Sequence, residues 1–206
     1  MAEAGRVIAG SARGTRLLAP GEGTRPFSDR VKQTLFAILE PDLPGARVLD
    51  LFAGSGAAGI EALSRGAGSA DFVEQDGSAV RVISQNVART HFETRARIHR
   101  QDVLTFLRQP APEARGAFDV VIVDPPYADR TALDAALVAL GAANTGLLSA
   151  ESWVVAKHFW RTPPPSSVGL LASVRSRRFG ETTLTFYRPA GLASTAEQEG
   201  ERAEAQ

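Results

Sequence analysis

The chain has 206 residues, of which 44% are hydrophobic and 22% charged, and its formal net charge at pH 7 is zero. This length and apolar content predict one ordinary globular domain with short appendages. The absence of cysteine excludes disulfides and thiolate metal sites, and the histidines His91, His99 and His158 are too scattered to form a metal cluster, so we expect no metal. Because there is no long apolar run and no signal-peptide core, we expect a soluble, cytoplasmic protein.

The two ends of the chain differ in charge. Residues 1–34 carry six basic and three acidic side chains, whereas residues 191–206 carry one basic and four acidic ones. Arginine predominates among the bases, which suits bidentate contact with phosphates but is equally explained by a compositional bias. The lack of hydrophobic periodicity after Pro189 predicts a disordered tail over residues 189–206.

The first predicted elements are two short strands, Arg6–Ala9 and Thr15–Ala19, joined by a glycine-containing turn at Arg13. Together they form a basic β-hairpin. Taken by itself, such a hairpin is more often a sheet edge with solvated arginines than a nucleic-acid contact. A proline-rich stretch then leads to a helix over Asp29–Leu39, with Ser28 placed to cap its N-terminus.

The next segment combines a short apolar strand, a glycine-rich turn and a helix. The spacing Gly54-x-Gly56-x-x-Gly59 allows a sharp turn that brings the backbone close to a ligand. It satisfies the dinucleotide fingerprint, with Glu74 about twenty residues further on to hold a ribose, so an NAD-dependent oxidoreductase is one interpretation. No Gly-Lys-Ser/Thr follows, which argues against a loop for ATP or GTP.

Asp50 favours a different ligand for the same turn. Its carboxylate ends the strand just before the glycines, where it would repel a pyrophosphate and attract a cation. S-adenosylmethionine carries an ammonium group, a sulfonium and a ribose for Glu74. This cofactor is therefore favoured over NAD, which stays as the alternative.

Strands and helices alternate from here on, which predicts a doubly wound parallel sheet. Asp102, at the end of the third strand, is placed to accept the adenine amine, with the Val103 N–H facing a ring nitrogen; an acidic residue here is equally a helix cap. The predicted elements are a strand at Ser69–Glu74, a helix at Gly77–Thr90, a strand at Ala96–Arg100 and a helix from Val103.

A run of β-branched residues ends in Asp124-Pro125-Pro126-Tyr127, at the edge of the sheet where open α/β folds bind ligands. An exocyclic amine is a poor nucleophile because its lone pair is delocalised into the ring. Asp124 can accept one of its N–H groups and the Pro125 carbonyl the other, while Tyr127 stacks on the base. The two prolines make this corner rigid. The motif permits guanine N2, adenine N6, cytosine N4 or a protein amide as the acceptor.

The last third of the chain predicts a helix, a fifth strand, a proline loop and a final hairpin. The arginines of that hairpin could extend an RNA-facing surface, although a solvated strand is the favoured interpretation. The helix covers Leu133–Leu140, the fifth strand Trp153–Ala156 and the proline loop Pro163–Pro165. The hairpin strands are Leu170–Phe179 and Thr182–Tyr187 around Gly180, and its arginines are Arg175, Arg177 and Arg178.

Up to about Tyr187, the chain resembles the class I S-adenosylmethionine-dependent methyltransferases and, within them, the RsmD-type 16S ribosomal RNA (guanine-N2)-methyltransferase family. The two N-terminal blocks single out this family, whereas the other two are shared by many methyltransferases. The sequence departs from the family pattern at Phe27 and near Lys157, where we expect a threonine and an acidic residue. The blocks are Arg6–Gly10 with Arg13-Gly14, Arg25–Val31 with Thr34–Phe36, Asp50–Gly56 with Gly59 and Glu61–Arg65, and Asp124–Tyr127.

The resemblance implies an α/β fold: a Rossmann-like, seven-stranded methyltransferase sheet with helices on both faces and an N-terminal β-hairpin extension. It divides the chain into an RNA-contacting hairpin (1–24), a methyltransferase domain (25–188) and the tail (189–206). It also implies S-adenosylmethionine as cofactor and guanine N2 as the methyl acceptor. The partner is 16S rRNA, in a 30S subunit or an assembly intermediate, and we expect a monomer. A catalytically silent RNA-binding assembly factor on the same fold is the alternative.

The resemblance also assigns site residues. Catalysis falls to Asp124, Pro125, Pro126 and Tyr127. RNA contact falls to Arg6, Arg13, Arg16 and Arg25. Cofactor binding falls to Asp50, Phe52, Ala53, Gly54, Gly56, Glu74, Gln75, Asp102 and Val103, with Asp29 and Arg30 closing over the methionine moiety or meeting the substrate.

Overall fold

The computed structural model describes residues 3–21, 28–109, 117–126, 129–142 and 146–190. Tyr127, Arg25, Phe27 and nearly all of the predicted tail therefore lie outside the described residues. Within these ranges, no helix combines the length and apolarity that a membrane crossing requires.

A two-stranded N-terminal hairpin precedes a large mixed sheet. The hairpin pairs β1 (Glu3–Arg6) with β2 (Arg16–Leu18) in antiparallel fashion. The large sheet is built from β3 (Arg47–Leu51), β4 (Ser69–Glu74), β5 (Ala96–Arg100), β6 (Phe118–Val123), β7 (Leu148–Phe159), β8 (Ser167–Val168), β9 (Leu171–Phe179) and β10 (Thr182–Pro189).

The order of strands across this sheet is β5-β4-β3-β6-β7-β10-β9-β8. Neighbours from β5 to β7 are parallel, whereas β10 is antiparallel to both β7 and β9. The predicted Rossmann-like sheet is thus confirmed for the seven longer strands. The two-residue β8 adds an eighth at the edge, because the chain pairs briefly with β9 after the proline loop.

In the described part of the chain, the α-helices are α1 (Asp29–Leu39), α2 (Ala57–Ser64), α3 (Gly77–Arg89), α4 (Val103–Leu107) and α5 (Arg130–Leu140), and a short 3-10 helix covers Glu40–Asp42. Most of them start where a polar side chain accepts an N–H of the first turn. Ser28 caps α1, Asp76 caps α3 and Asp102 caps α4. The predicted start of α5 at Leu133 is wrong by three residues, because Asp129 caps the helix by accepting the Ala132 N–H at 2.9 Å.

The helices cover both faces of the sheet, as predicted. Alternate residues of β3 point to opposite sides, so Val48 joins one core cluster and Leu49 the other. The first cluster contains buried residues of α1, α2, α3 and the hairpin, and the second contains those of α4 and α5. The turns that follow β3 and β6 therefore rest on a sheet that is packed from two sides.

The hairpin differs from its predicted bounds, since the first strand covers Glu3–Arg6 rather than Arg6–Ala9. The cause is a buried carboxylate on α2. The backbone N–H groups of Ile8 and Ala9 donate to Glu61 at 2.8 and 3.1 Å instead of to a partner strand. Ala4 and Leu17 of the hairpin are buried in the first core cluster, so the hairpin is docked on the domain.

Candidate active site

A cavity of about 880 Å³ opens at the carboxyl ends of the parallel strands. Strands β4 and β6 lie on the two sides of β3, so the order of strands reverses at this point of the sheet. Open α/β sheets bind ligands at such a switch point. The volume suits a nucleoside-sized molecule. Its walls include Phe52, Ala53, Gly54, Glu74, Gln75, Asp102, Val103, Asp124, Pro125 and Pro126, together with Ala4, Pro20 and Gly21 from the N-terminal segment.

The turn after β3 has the backbone that its glycines predict. Gly54 and Gly56 have φ values of +55° and +75°, and even Phe52 is held at +59°, a conformation that side chains rarely adopt. Gly59 serves packing, since a Cβ added there would lie 2.4 Å from Cε1 of Phe72. Gly56 caps α2 without lining the cavity, so of the two glycines assigned to cofactor binding only Gly54 does line it.

Asp50 is buried at the bottom of this turn, only 2% exposed, and lines the cavity. One of its carboxylate oxygens accepts the Gly59 N–H at 2.9 Å, in the first turn of α2. Burial raises the pKa of the Asp50 carboxyl to about 8, the Gly59 hydrogen bond opposes this, and the nearby charges of Asp124 and Glu74 raise the pKa further. A cation bound in the cavity would lower the pKa of Asp50 again.

Glu74 and Asp102 already have backbone partners. Glu74 accepts the Gly54 N–H with one oxygen and the Asp76 N–H with the other, both at 2.9 Å, and so joins the turns that follow β3 and β4. Asp102 accepts the Thr105 N–H at 2.9 Å as the cap of α4. Val103, the first residue of that helix, presents an N–H without an intrahelical partner. These residues thus surround one end of the cavity with acceptors and one donor.

Asp124, Pro125 and Pro126 follow β6 directly and form another wall of the cavity. The Pro126 carbonyl accepts the Asp129 N–H at 2.8 Å, which ties this corner to the cap of α5. The stacking role predicted for Tyr127 falls on a residue outside the described part of the chain.

Lys157 also lines the cavity, and the sequence did not predict its role there. Its ammonium group contacts both oxygens of Asp124, at 2.8 and 2.9 Å, and its side chain is 7% exposed. The register of β6 and β7 pairs Val123 with Ala156, so Asp124 and Lys157 occupy the next position on adjacent strands. Only a polar residue at the end of an apolar run in β7 could have signalled this contact.

The structure does not bring Asp29 and Arg30 to the cavity. Asp29 instead pairs with Arg6 of the hairpin, with 3.3 Å between Arg6 Nε and Asp29 Oδ2. Arg16 is paired with Glu3 at 2.9 Å across the hairpin, and Arg13 is exposed in the turn. Two of the arginines assigned to RNA thus have carboxylate partners within the protein.

The chain is similar to known proteins over most of its length. Residues 5–188 match the family described as "Conserved hypothetical protein 95". The YlbH protein of Bacillus subtilis is 36% identical over 187 residues, which cover 90% of this chain and 100% of that protein. Ribosomal RNA small subunit methyltransferase D of Haemophilus influenzae is 42% identical over 124 residues, which cover 59% of this chain and 63% of that protein.

A solved structure, that of the Escherichia coli protein yhhF, has the same fold. It matches with a TM-score of 0.79 at 31% identity, covering 91% of this chain and 98% of that one. The family match and the full-length similarity lead to one conclusion: the chain belongs to the conserved hypothetical protein 95 family, the RsmD family.

Proposed function

We propose that the protein transfers a methyl group from S-adenosylmethionine to the exocyclic N2 of a guanine in 16S ribosomal RNA. The observation that carries this proposal is the acidic lining of the cavity. Among the described residues that line it, one lysine, Lys157, stands against six acidic side chains: Asp50, Glu74, Asp76, Asp102, Asp124 and Asp129. Such a cavity attracts a cationic cofactor and repels a pyrophosphate. The relatives named ribosomal RNA small subunit methyltransferase D support the substrate class.

The cofactor would occupy the cavity between the glycine turn and the proline corner. In this proposal Glu74 holds the ribose hydroxyls, Asp102 and Val103 contact the adenine edge, and Asp50 meets the positive end of the molecule. All four residues line the cavity. S-adenosylmethionine supplies an electrophilic methyl group on a sulfonium. Because each of these residues is held by a turn or a helix cap, little reorganisation is needed at the moment of reaction.

The proline corner would hold the acceptor. Asp124 accepts one N–H of the guanine amino group and the Pro125 carbonyl the other, which localises the nitrogen lone pair towards the methyl group. The N2 lone pair forms the new N–C bond as the methyl–sulfur bond breaks, and one N2 proton leaves afterwards. Alignment and hydrogen bonding supply most of the acceleration.

The acceptor base is tested by nucleoside analysis of 16S rRNA from cells with and without this gene. We expect N2-methylguanosine at one position to disappear in the deletion and to return with the gene. Loss of a methylated adenine or cytosine instead would show a methyltransferase whose acceptor is not guanine. An unchanged pattern would favour the catalytically silent assembly factor.

The cofactor is tested by calorimetry, with Asp50→Asn as matched variant. The Asp50 carboxyl, with a pKa of about 8, must lose its proton before it can pair with a cation. We therefore expect the affinity for S-adenosylmethionine to rise between pH 6 and 7.5, by up to about tenfold per pH unit. Binding in this range should release a proton. In the Asn variant only the ligand's own groups titrate, so its affinity should depend less on pH. The same pH dependence of affinity in the wild type and the Asn variant would contradict the proposal, and so would binding of NAD without binding of S-adenosylmethionine.

The same pKa predicts a trend in the stability of the free protein. A carboxyl whose pKa is higher in the folded state stabilises the fold at low pH, and this contribution is lost as the pH rises towards 8. Asp50→Asn should therefore remove part of the loss of stability between about pH 4 and pH 8, measured by urea unfolding.

Arg13 is proposed to contact the RNA backbone, because it is exposed in the turn of the hairpin whose β1 contributes Ala4 to the cavity wall. Arg13→Ala should weaken RNA binding to a similar degree for all RNA sequences. It should also reduce the magnitude of the slope of log K against log salt concentration by about one. Arg108→Ala is the matched control, since Arg108 is exposed at the C-cap of α4, whose buried residues pack on the opposite face of the sheet from the hairpin. Equal effects of both variants would remove the hairpin from the interface.

A further inference from the structure

Lys157 is a buried cation on β7, and its ammonium group pairs with Asp124, the residue proposed to hold the methyl acceptor. We propose that Lys157 is a positioning residue, which keeps the Asp124 carboxylate charged and in one orientation for the incoming amino group. This inference rests on the proposed function and names a residue that the family resemblance did not supply.

The geometry supports this role. Lys157 Nζ lies 2.8 Å from one oxygen of Asp124 and 2.9 Å from the other, so the ammonium bridges the carboxylate and prevents its rotation. The neighbouring position on β10 is Leu184, which is fully buried and apolar. Each Asp124 oxygen gives one lone pair to Lys157 and keeps another, so an amino N–H can still be accepted from the cavity side.

The charges around Asp124 make such a partner necessary. Asp50 on β3 and Glu74 on β4 face the same cavity, and Asp129 at the start of α5 lines it too. Burial raises the pKa of the Asp124 carboxyl, and the Lys157 ammonium opposes that rise. Without this lysine, the pKa of the Asp124 carboxyl would rise further, and its protonated form would no longer be a pure acceptor.

The test is the pH dependence of kcat with saturating S-adenosylmethionine and 16S rRNA from cells lacking the gene. For Lys157→Met we expect kcat at pH 7 to fall by about tenfold or more, and the acidic limb of the profile to move up by at least about one pH unit. Lys157→Arg keeps the charge and should keep the limb in its wild-type position. The KM for S-adenosylmethionine should change less than kcat.

A purely structural role would lower activity and the melting temperature without moving the limb, and that result would overturn the proposal. If the Met variant does not fold, Lys157→Gln provides the neutral comparison with a hydrogen-bond donor, and an unshifted limb in this variant has the same meaning. Failure of the proposed function is distinguishable, because the wild-type protein would then transfer no methyl group at any pH.

Discussion

Replacing Asp124 with alanine is expected to lower kcat by about a hundredfold to a thousandfold while S-adenosylmethionine still binds. The variant removes the acceptor that localises the amine lone pair in the transition state, and loss of one such group in a preorganised site costs about a hundredfold to a thousandfold. Asp124 lies at the cavity wall beside the proline corner, whereas the ribose and adenine contacts are assigned to other strands. Methyl transfer from labelled cofactor and calorimetry measure the two quantities separately.

The control for this variant concerns Lys157, whose ammonium would be left buried without its carboxylate partner. The double variant Asp124→Ala/Lys157→Met removes both charges and should recover stability without recovering activity. Asp124→Asn keeps an amide oxygen as acceptor and should retain more activity than the alanine variant. Wild-type turnover in Asp124→Ala would refute the mechanism.

Replacing Glu61 with alanine should produce the largest loss of stability, a decrease in the free energy of unfolding of about 3–5 kcal/mol. Glu61 is fully buried in α2, where it lies 3.9 Å from the equally buried Lys32 and 2.8 Å from Arg65. It also accepts the N–H groups of Ile8 and Ala9. The variant leaves two backbone donors without their acceptor, and the buried Lys32 ammonium keeps its hydrogen bond to the Arg6 carbonyl but loses its carboxylate partner.

Urea unfolding measures this loss, with the exposed Glu93→Ala as control, for which we expect a change of less than about 0.5 kcal/mol. The double variant Glu61→Ala/Lys32→Met should recover part of the stability, because burial already lowers the pKa of Lys32 against the attraction of Glu61. Since Glu61 anchors the hairpin, its loss should also weaken RNA binding. Equal stability of Glu61→Ala and Glu93→Ala would show that the hairpin is not held by this carboxylate.

Local patterns were sufficient to predict most of the elements. Helix α1 begins and ends at the predicted residues, since Ser28 caps it and its apolar face repeats at helical spacing. The glycine turn was equally readable, because its positive φ values need particular residues at particular positions. These features depend on neighbours within a few positions of the chain.

Contacts between distant segments could not be read in this way. Lys157 meets Asp124 only because of the register between β6 and β7, which no local pattern specifies. The first hairpin strand was misplaced for a similar reason: Glu61, more than fifty residues away, takes the N–H groups of Ile8 and Ala9. Asp29 was assigned to the cofactor from the resemblance, and its pairing with Arg6 depends on how the hairpin docks.

The central claim is that one rigid corner holds an amino group in line with the methyl donor, and a crystal structure with S-adenosylhomocysteine tests it most directly. We predict that the sulfur lies in the cavity opposite the Asp124 carboxylate and the Pro125 carbonyl, across a gap that one methyl carbon and one amino nitrogen would fill. A sulfur at the far end of the cavity, or acceptors that point away from it, would contradict the account.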